Sequence, residues 1–197
     1  RALTPIIEVE RLSILSRAVA EAYLGPRTGG RVLGGKITRG QVEMIDAAIL
    51  ISDLRGWTRL NTERPVDEAV ALANRYFEVM DSAVRDQGGE VLKLMGDGVL
   101  AVFPAEANRA LAAARALDAA RAAVTQADGV MRFGIGLHVG EVFYGNVGSE
   151  TRLDFTVLGS AVNVTARIEA LCAETGETIL CSQAFAELLD TPCPELG

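Results

Sequence analysis

Two aspartates stand at the ends of apolar runs, where they could build a metal site. Asp53 follows AAILI, which is long enough for a buried strand, and Asp97 lies between EVLKLM and VLAVF with a glycine on each side. The second pattern is typical of a tight hairpin turn. Because a strand end and a hairpin turn can lie side by side in a sheet, the two carboxylates could bind a hard cation. Each also has an ordinary explanation, since aspartate tolerates turn geometry and Arg55 could neutralise Asp53 in a structural ion pair.

An amide and a guanidinium four residues apart form the second candidate. Asn163 and Arg167 would project from one face of a helix predicted over 160–175. Such a pair suits a sugar oxygen and a phosphate. The alternative is an ordinary solvated face, on which Arg167 reaches Glu169 or water.

Lys93 interrupts the apolar run VLKLM. Strand alternation predicts Val91, Lys93 and Met95 on one face. A lysine there either protects a sheet edge or donates to a ligand, and spacing does not distinguish these two roles.

His138 lies in the glycine-rich string GIGLHVG, which lacks the spacing of a dinucleotide-binding loop. We therefore expect a hydrogen-bonded strand histidine and not a catalytic base.

These residues would be positioned by a mixed sheet covered by helices, in α+β order. Hydrophobic periodicity predicts helices over 6–24, 66–89, 105–127, 160–175 (capped by Ser160) and 183–190. It predicts strands over 47–52, 90–95, 99–103, 130–139, 141–148, 152–159 and 177–182, and a loop or hairpin over the glycine-rich 25–36. Residues 1–44 are expected to form an amphipathic helix and linker, and residues 45–197 the main domain.

Composition narrows the function classes. The 197 residues carry a net charge of −7, which argues against nucleic acid as a partner. No apolar run approaches the roughly 18–20 residues that cross a bilayer. The three cysteines form no C-x-x-C pair, so we expect reduced thiols. The chain looks like a piece of a longer protein. A cytoplasmic location is expected for this piece, although the full-length protein could be membrane-anchored.

Four motifs in register carry a family resemblance: ISDLRGWT, GGEVLKLMGDGVLAVF, GIGLHVGEVFYGNVG and DFTVLGSAVNVTARIEAL. Over about residues 45–190 the chain resembles the catalytic domain of class III nucleotidyl cyclases. The resemblance implies a ferredoxin-like core and active sites shared between the two chains of a head-to-tail homodimer. The family's final strands would lie past Gly197.

The resemblance also assigns the two aspartates. Asp53, Asp97 and the backbone carbonyl of Leu54 would hold two Mg²⁺ ions, for which Mn²⁺ can substitute. One ion would help to ionise the ribose 3′-oxygen, and the other would bind the triphosphate. Attack on the α-phosphorus then expels pyrophosphate.

The remaining site residues would come from the opposite subunit. Lys93 matches the purine-selecting lysine, and Thr156 matches its partner position, as in a bicarbonate-stimulated subclass of adenylate cyclases. Asn163 matches the ribose-orienting asparagine, and Arg167 matches the arginine that stabilises the transition state. Gly134 stands where some family members carry a phosphate-binding arginine.

The resulting interpretation is an adenylate cyclase that converts ATP to 3′,5′-cyclic AMP and pyrophosphate. Residues 1–44 would receive the output of an upstream sensor. Two alternatives stay open: a guanylate cyclase, which Lys93 disfavours, and a catalytically silent module for dimerisation or nucleotide sensing.

Overall fold

The computed structural model describes residues 3–35 and 40–189, with the backbone alone for 3–7 and 27. In these ranges the helices are α1 Leu3–Leu24, α2 Pro26–Leu33, α3 Trp57–Glu63, α4 Val66–Asp86, α5 Arg109–Ala127, α6 Ser160–Thr175 and α7 Gln183–Ala186. The strands are β1 Val42–Leu54, β2 Glu90–Met95, β3 Gly98–Pro104, β4 Phe133–Gly148, β5 Leu153–Leu158 and β6 Ile179–Cys181. No helix in the described ranges is long and apolar enough to span a bilayer.

The chain divides into two compact units. The smaller unit contains the residues up to 43 together with 144–156, and the larger contains 44–143 together with 157 onward. The smaller unit packs α1 against α2, and its residues from β4 and β5 belong to neighbouring strands. The predicted boundary between residues 44 and 45 stays a prediction.

The larger unit is built on a mixed sheet in the order β2-β3-β1-β4, with β6 parallel to β4. One sheet face packs against α4 and α5, where Leu50, Ala101 and Phe103 are buried in the main apolar cluster. Every buried residue of α5 is an alanine, so this helix can lie close to its neighbours. This architecture confirms the predicted α+β class and its helix-covered sheet.

Three predictions of local structure were wrong, and one helix was missed. Residues 25–36 are not all loop, because α2 begins at Pro26, whose fixed φ suits a first helical turn. The segments 130–139 and 141–148 do not pair as two strands, since β4 runs through Gly140 without a break. Helix α6 is preceded by Gly159 at its N-cap, so Ser160 is its first residue and not its cap. Helix α3 was not predicted at all.

Helix α6 packs closely against β4 because the facing strand positions are glycines. A Cβ atom on Gly136 would lie 2.6 Å from the backbone oxygen of Thr165 and 2.6 Å from the backbone nitrogen of Glu169. A Cβ atom on Gly140 would lie 2.9 Å from Ala161 Cβ. Gly136 and Gly140 of GIGLHVG therefore serve helix-to-strand packing in this fold.

Gly136→Ala is expected to lower the free energy of unfolding by about 1–3 kcal/mol, because rigid backbone must move to admit one methyl group. Gly30→Ala is the matched control, since Gly30 lies in α2 with no atom within 4 Å of an added Cβ. Urea unfolding of both variants measures the difference. Equal losses of stability in the two variants would contradict the close-packing account.

Candidate active site

Asp53 and Asp97 meet at one end of the sheet. In the antiparallel pairing of β1 with β3, Asp53 lies opposite Gly98, the residue after Asp97. The Leu54 backbone N–H donates to the Asp97 carbonyl oxygen at 3.1 Å. The structure therefore brings together the two aspartates that the sequence singled out.

The two carboxylates influence each other electrostatically. Burial raises the pKa of Asp53, and the charge of Asp97 raises that pKa further, whereas Arg55 acts in the opposite direction. A cation placed between two like charges relieves this repulsion. A bound cation would therefore stabilise the ionised form of Asp53.

The oxygen atoms of this candidate site suit a magnesium ion whose remaining ligands come from water or a bound phosphate. Within residues 3–35 and 40–189, no three His, Cys, Asp or Glu side chains form a ready-made metal cage. Magnesium is commonly held by one or two carboxylates together with substrate phosphates. Asp53, Asp97 and the Leu54 carbonyl fit that chemistry, with the remaining ligands left to water or phosphate.

A β-bulge controls where Lys93 lies. Val91 pairs with Ala101, but Lys93 pairs with Leu100, so Leu92 is an extra residue in β2. Leu100 also lies opposite Ile51 of β1. Because directly opposed residues share a sheet face, Lys93 lies on the face of Ile51 and hence of Asp53. The prediction that Val91 and Lys93 share a face was therefore wrong.

Thr156 belongs to the smaller unit and Lys93 to the larger. Thr156 is buried in β5, directly after the buried Phe155. Phe155 makes an edge-to-face contact with Tyr144, and the Arg31 guanidinium of α2 lies over both rings. The purine-contacting role of Thr156 stays a prediction.

Helix α6 presents two different faces. Thr165 and Glu169 are buried toward the protein interior, whereas Asn163 and Arg167 are exposed. In the described part of the chain Arg167 forms no ion pair, so of the two partners in the ordinary explanation Glu169 is excluded and water remains. The amide and the guanidinium are available to a molecule outside the chain.

Glu169 pairs with Arg55. Arg55 Nη2 lies 3.1 Å from Glu169 Oε1, and it donates to the Glu169 carbonyl oxygen at 3.3 Å. Sequence reasoning missed this pair, although Ala161, Thr165 and Glu169 recur every four residues on the buried face of α6. A buried carboxylate requires a cationic partner, which was the available signal.

His138 is held as a structural residue. Its Nδ1 atom lies 2.7 Å from Ser182 Oγ, and burial lowers its pKa. The expectation of a hydrogen-bonded strand histidine is confirmed.

Comparison with known proteins agrees with these observations. Residues 41–195 match the family model of the adenylate and guanylate cyclase catalytic domain. An adenylate cyclase of Anabaena cylindrica is 37% identical over an alignment of 157 residues that covers 75% of this chain and 31% of that protein. The chain thus spans less than a third of the length of this curated relative.

Solved structures give the same result. A bacterial light-regulated adenylyl cyclase superposes with a TM-score of 0.82 at 27% identity, covering 96% of this chain and 58% of that one. The guanylyl cyclase Cya2 superposes with a TM-score of 0.61 at 33% identity, covering 75% of this chain and 79% of that one. With the motifs, the fold and the family match in agreement, the chain belongs to the adenylate and guanylate cyclases, the class III nucleotidyl cyclases.

Proposed function

We propose that this chain is an adenylate cyclase domain that converts ATP to 3′,5′-cyclic AMP and pyrophosphate in a homodimer. The observation that carries the proposal is the meeting of Asp53 and Asp97 at one sheet end, with Lys93 on the same sheet face as Asp53. In a head-to-tail dimer that face would present the aspartates to one shared site and Lys93 to the other, so each nucleotide would meet the aspartates of one chain and Lys93 of its partner.

Asp53, Asp97 and the Leu54 carbonyl are the proposed magnesium ligands. Bound Mg²⁺ would neutralise phosphate charge and favour ionisation of the ribose 3′-hydroxyl. The two aspartates fix where that charge neutralisation occurs, because β1 and the β2–β3 turn hold them at one sheet end. Positioning of this kind supplies much of the rate in phosphoryl transfer.

The exposed face of α6 is the proposed contribution of the second chain. Asn163 would accept or donate a hydrogen bond at the ribose, and Arg167 would place its guanidinium against the charge that develops on the phosphates. Both side chains are exposed in the single chain. A homodimer with two equivalent shared sites follows from two-fold symmetry.

Regulation is proposed for the segment before residue 45. The stripe Val9, Leu12, Leu15 and Val19 of α1 is 50–67% exposed. An exposed apolar stripe of this kind favours a helical partner, here an upstream sensor or the same helix of a second copy.

Stimulation by bicarbonate, expected from Thr156, also stays a prediction.

The nucleotide that the chain converts, ATP or GTP, distinguishes an adenylate cyclase from a guanylate cyclase. Lys93 would donate to an acceptor on the adenine ring, and similarity to both adenylyl and guanylyl cyclases makes the test necessary. We expect cyclic AMP from ATP with Mg²⁺ or Mn²⁺, and much less cyclic product from GTP.

Lys93→Met is expected to lower kcat/KM for ATP by about tenfold or more, which corresponds to one lost charged hydrogen bond. The ratio of GTP to ATP turnover should rise. Arg121→Met, which removes an exposed charge on α5, is the matched control and should leave both unchanged. Preferential GTP cyclisation by the wild type would support the guanylate cyclase instead. No cyclic product from either nucleotide would support the silent module.

A further inference from the structure

Glu169 is a buried carboxylate close to the two candidate aspartates, and the proposed function gives it no role. The Glu169 side chain is 11% exposed and its partner Arg55 is 24% exposed. Burial raises the pKa of Glu169, the charges of Asp53 and Asp97 add to that rise, and Arg55 opposes it. Because burial disfavours the ionised carboxylate, its presence at this position requires an explanation.

The absence of a side chain at Gly134 leaves space for this ion pair. A Cβ atom on Gly134 would lie 1.9 Å from Arg55 Nη2 and 2.8 Å from Glu169 Oε1. The guanidinium therefore occupies the volume that any larger residue at position 134 would fill. Arg55 also has its backbone fixed, because its N–H donates to the Arg132 carbonyl oxygen at 2.8 Å.

Arg55 is close enough to Asp53 to act on its charge without being bound to it. It lowers the pKa of Asp53, but among the described residues no ion pair within 4.0 Å joins the two. An arginine that closed on Asp53 would occupy the carboxylate oxygens with parallel N–H···O bonds. Those oxygens are the ones that a metal ion requires.

We propose that Glu169 is a positioning residue that holds the Arg55 guanidinium over Gly134 and thereby keeps the Asp53 carboxylate open to a divalent cation. The proposal rests on the metal role of Asp53 in the proposed function. It explains why a carboxylate is buried on α6 and why position 134 carries no side chain. The interaction supports the metal site from outside its ligands, and partners of this kind usually affect metal affinity.

The test is Mn²⁺ binding to the nucleotide-free full chain, followed by the electron paramagnetic resonance signal of free Mn²⁺. Glu169→Gln should weaken Mn²⁺ binding by about tenfold, because it removes the charge that attracts the Arg55 guanidinium away from Asp53, while the hydrogen bond from Arg55 to the Glu169 backbone carbonyl oxygen remains. The double variant Arg55→Gln/Glu169→Gln should return the affinity to within about twofold of the wild type, since the competing cation is gone. Glu63→Gln, which breaks the exposed pair with Arg59, is the matched control and should change nothing.

Two results would overturn the proposal: unchanged Mn²⁺ affinity in Glu169→Gln, or a double variant as weak as the single one. If thermal unfolding shows that Glu169→Gln does not fold, Glu169→Asp replaces it, because the shorter carboxylate keeps its charge but releases Arg55 in part. Asp53→Asn separates the two levels of inference. If Asp53→Asn binds Mn²⁺ like the wild type, the proposed metal site itself fails. If only Asp53→Asn loses binding, the role of Glu169 fails alone.

Discussion

Asp53→Asn is expected to reduce cyclase activity by about 10³-fold or more, because several kcal/mol of transition-state charge stabilisation depend on the bound metal. Asparagine keeps the shape of the side chain and can still accept a hydrogen bond. The main effect of the substitution is therefore the loss of the negative charge of the carboxylate. The same loss is expected for Asp97→Asn, since both carboxylates stand at one sheet end. Cyclic AMP formation at saturating Mn²⁺ and ATP measures the effect.

Asp118→Asn is the matched control for both variants. Asp118 is exposed on α5 and is part of no proposed site, so its activity should equal that of the wild type. Unfolding of all three variants should also be compared, because Asp53 is partly buried and its charge is disfavoured there. An Asp53→Asn variant that folds and retains wild-type activity would contradict the metal assignment.

Mixing two inactive chains is expected to restore activity. A chain carrying Asp53→Asn keeps α6 intact, and a chain carrying Arg167→Ala keeps both aspartates. If each active site takes its aspartates from one chain and Arg167 from the other, a heterodimer of the two variants has one intact site. Random pairing of equal amounts makes about half the dimers heterodimers, so activity should reach about one quarter of the wild-type value.

The control for this experiment is a mixture of Asp53→Asn with Asp97→Asn. Both changes fall in the same half of the shared site, so every pairing lacks a complete one. That mixture should stay inactive while the first recovers. Recovery in neither mixture, with dimers shown by light scattering, would contradict a site shared in this way.

The fold was predictable where the periodicity was strong and the breakers were clear. The hairpin of β2 and β3 and helices α4 and α6 follow from alternation, helical spacing and the G-D-G turn. Helix α2 was missed because two glycines lower its helix propensity. Its contact with α1 overrides that propensity, and a Cβ on Gly29 would lie 2.9 Å from the Ala20 carbonyl carbon.

The candidate site was predicted by residue but not by arrangement. Motif order singled out Asp53, Asp97 and Arg167 as candidates, and the structure adds that the aspartates meet and that Arg167 is exposed. Alternation alone could not reveal the bulge at Leu92, because a bulge changes the register without changing the composition of the strand. The pairing of Arg55 with Glu169 joins residues 114 positions apart, and no local pattern connects them.

The extra residue in β2 makes the surroundings of Lys93 depend on the bulge and not on the lysine alone. With regular alternation at the same strand length, Lys93 would pair with Val99 and lie on the face of Ala101, where the helices pack. Deleting Leu92 would remove the bulge and still leave Lys93 opposite Leu100, on the face of Ile51. A lysine matched in an alignment therefore says little about nucleotide choice unless the register of its strand also matches.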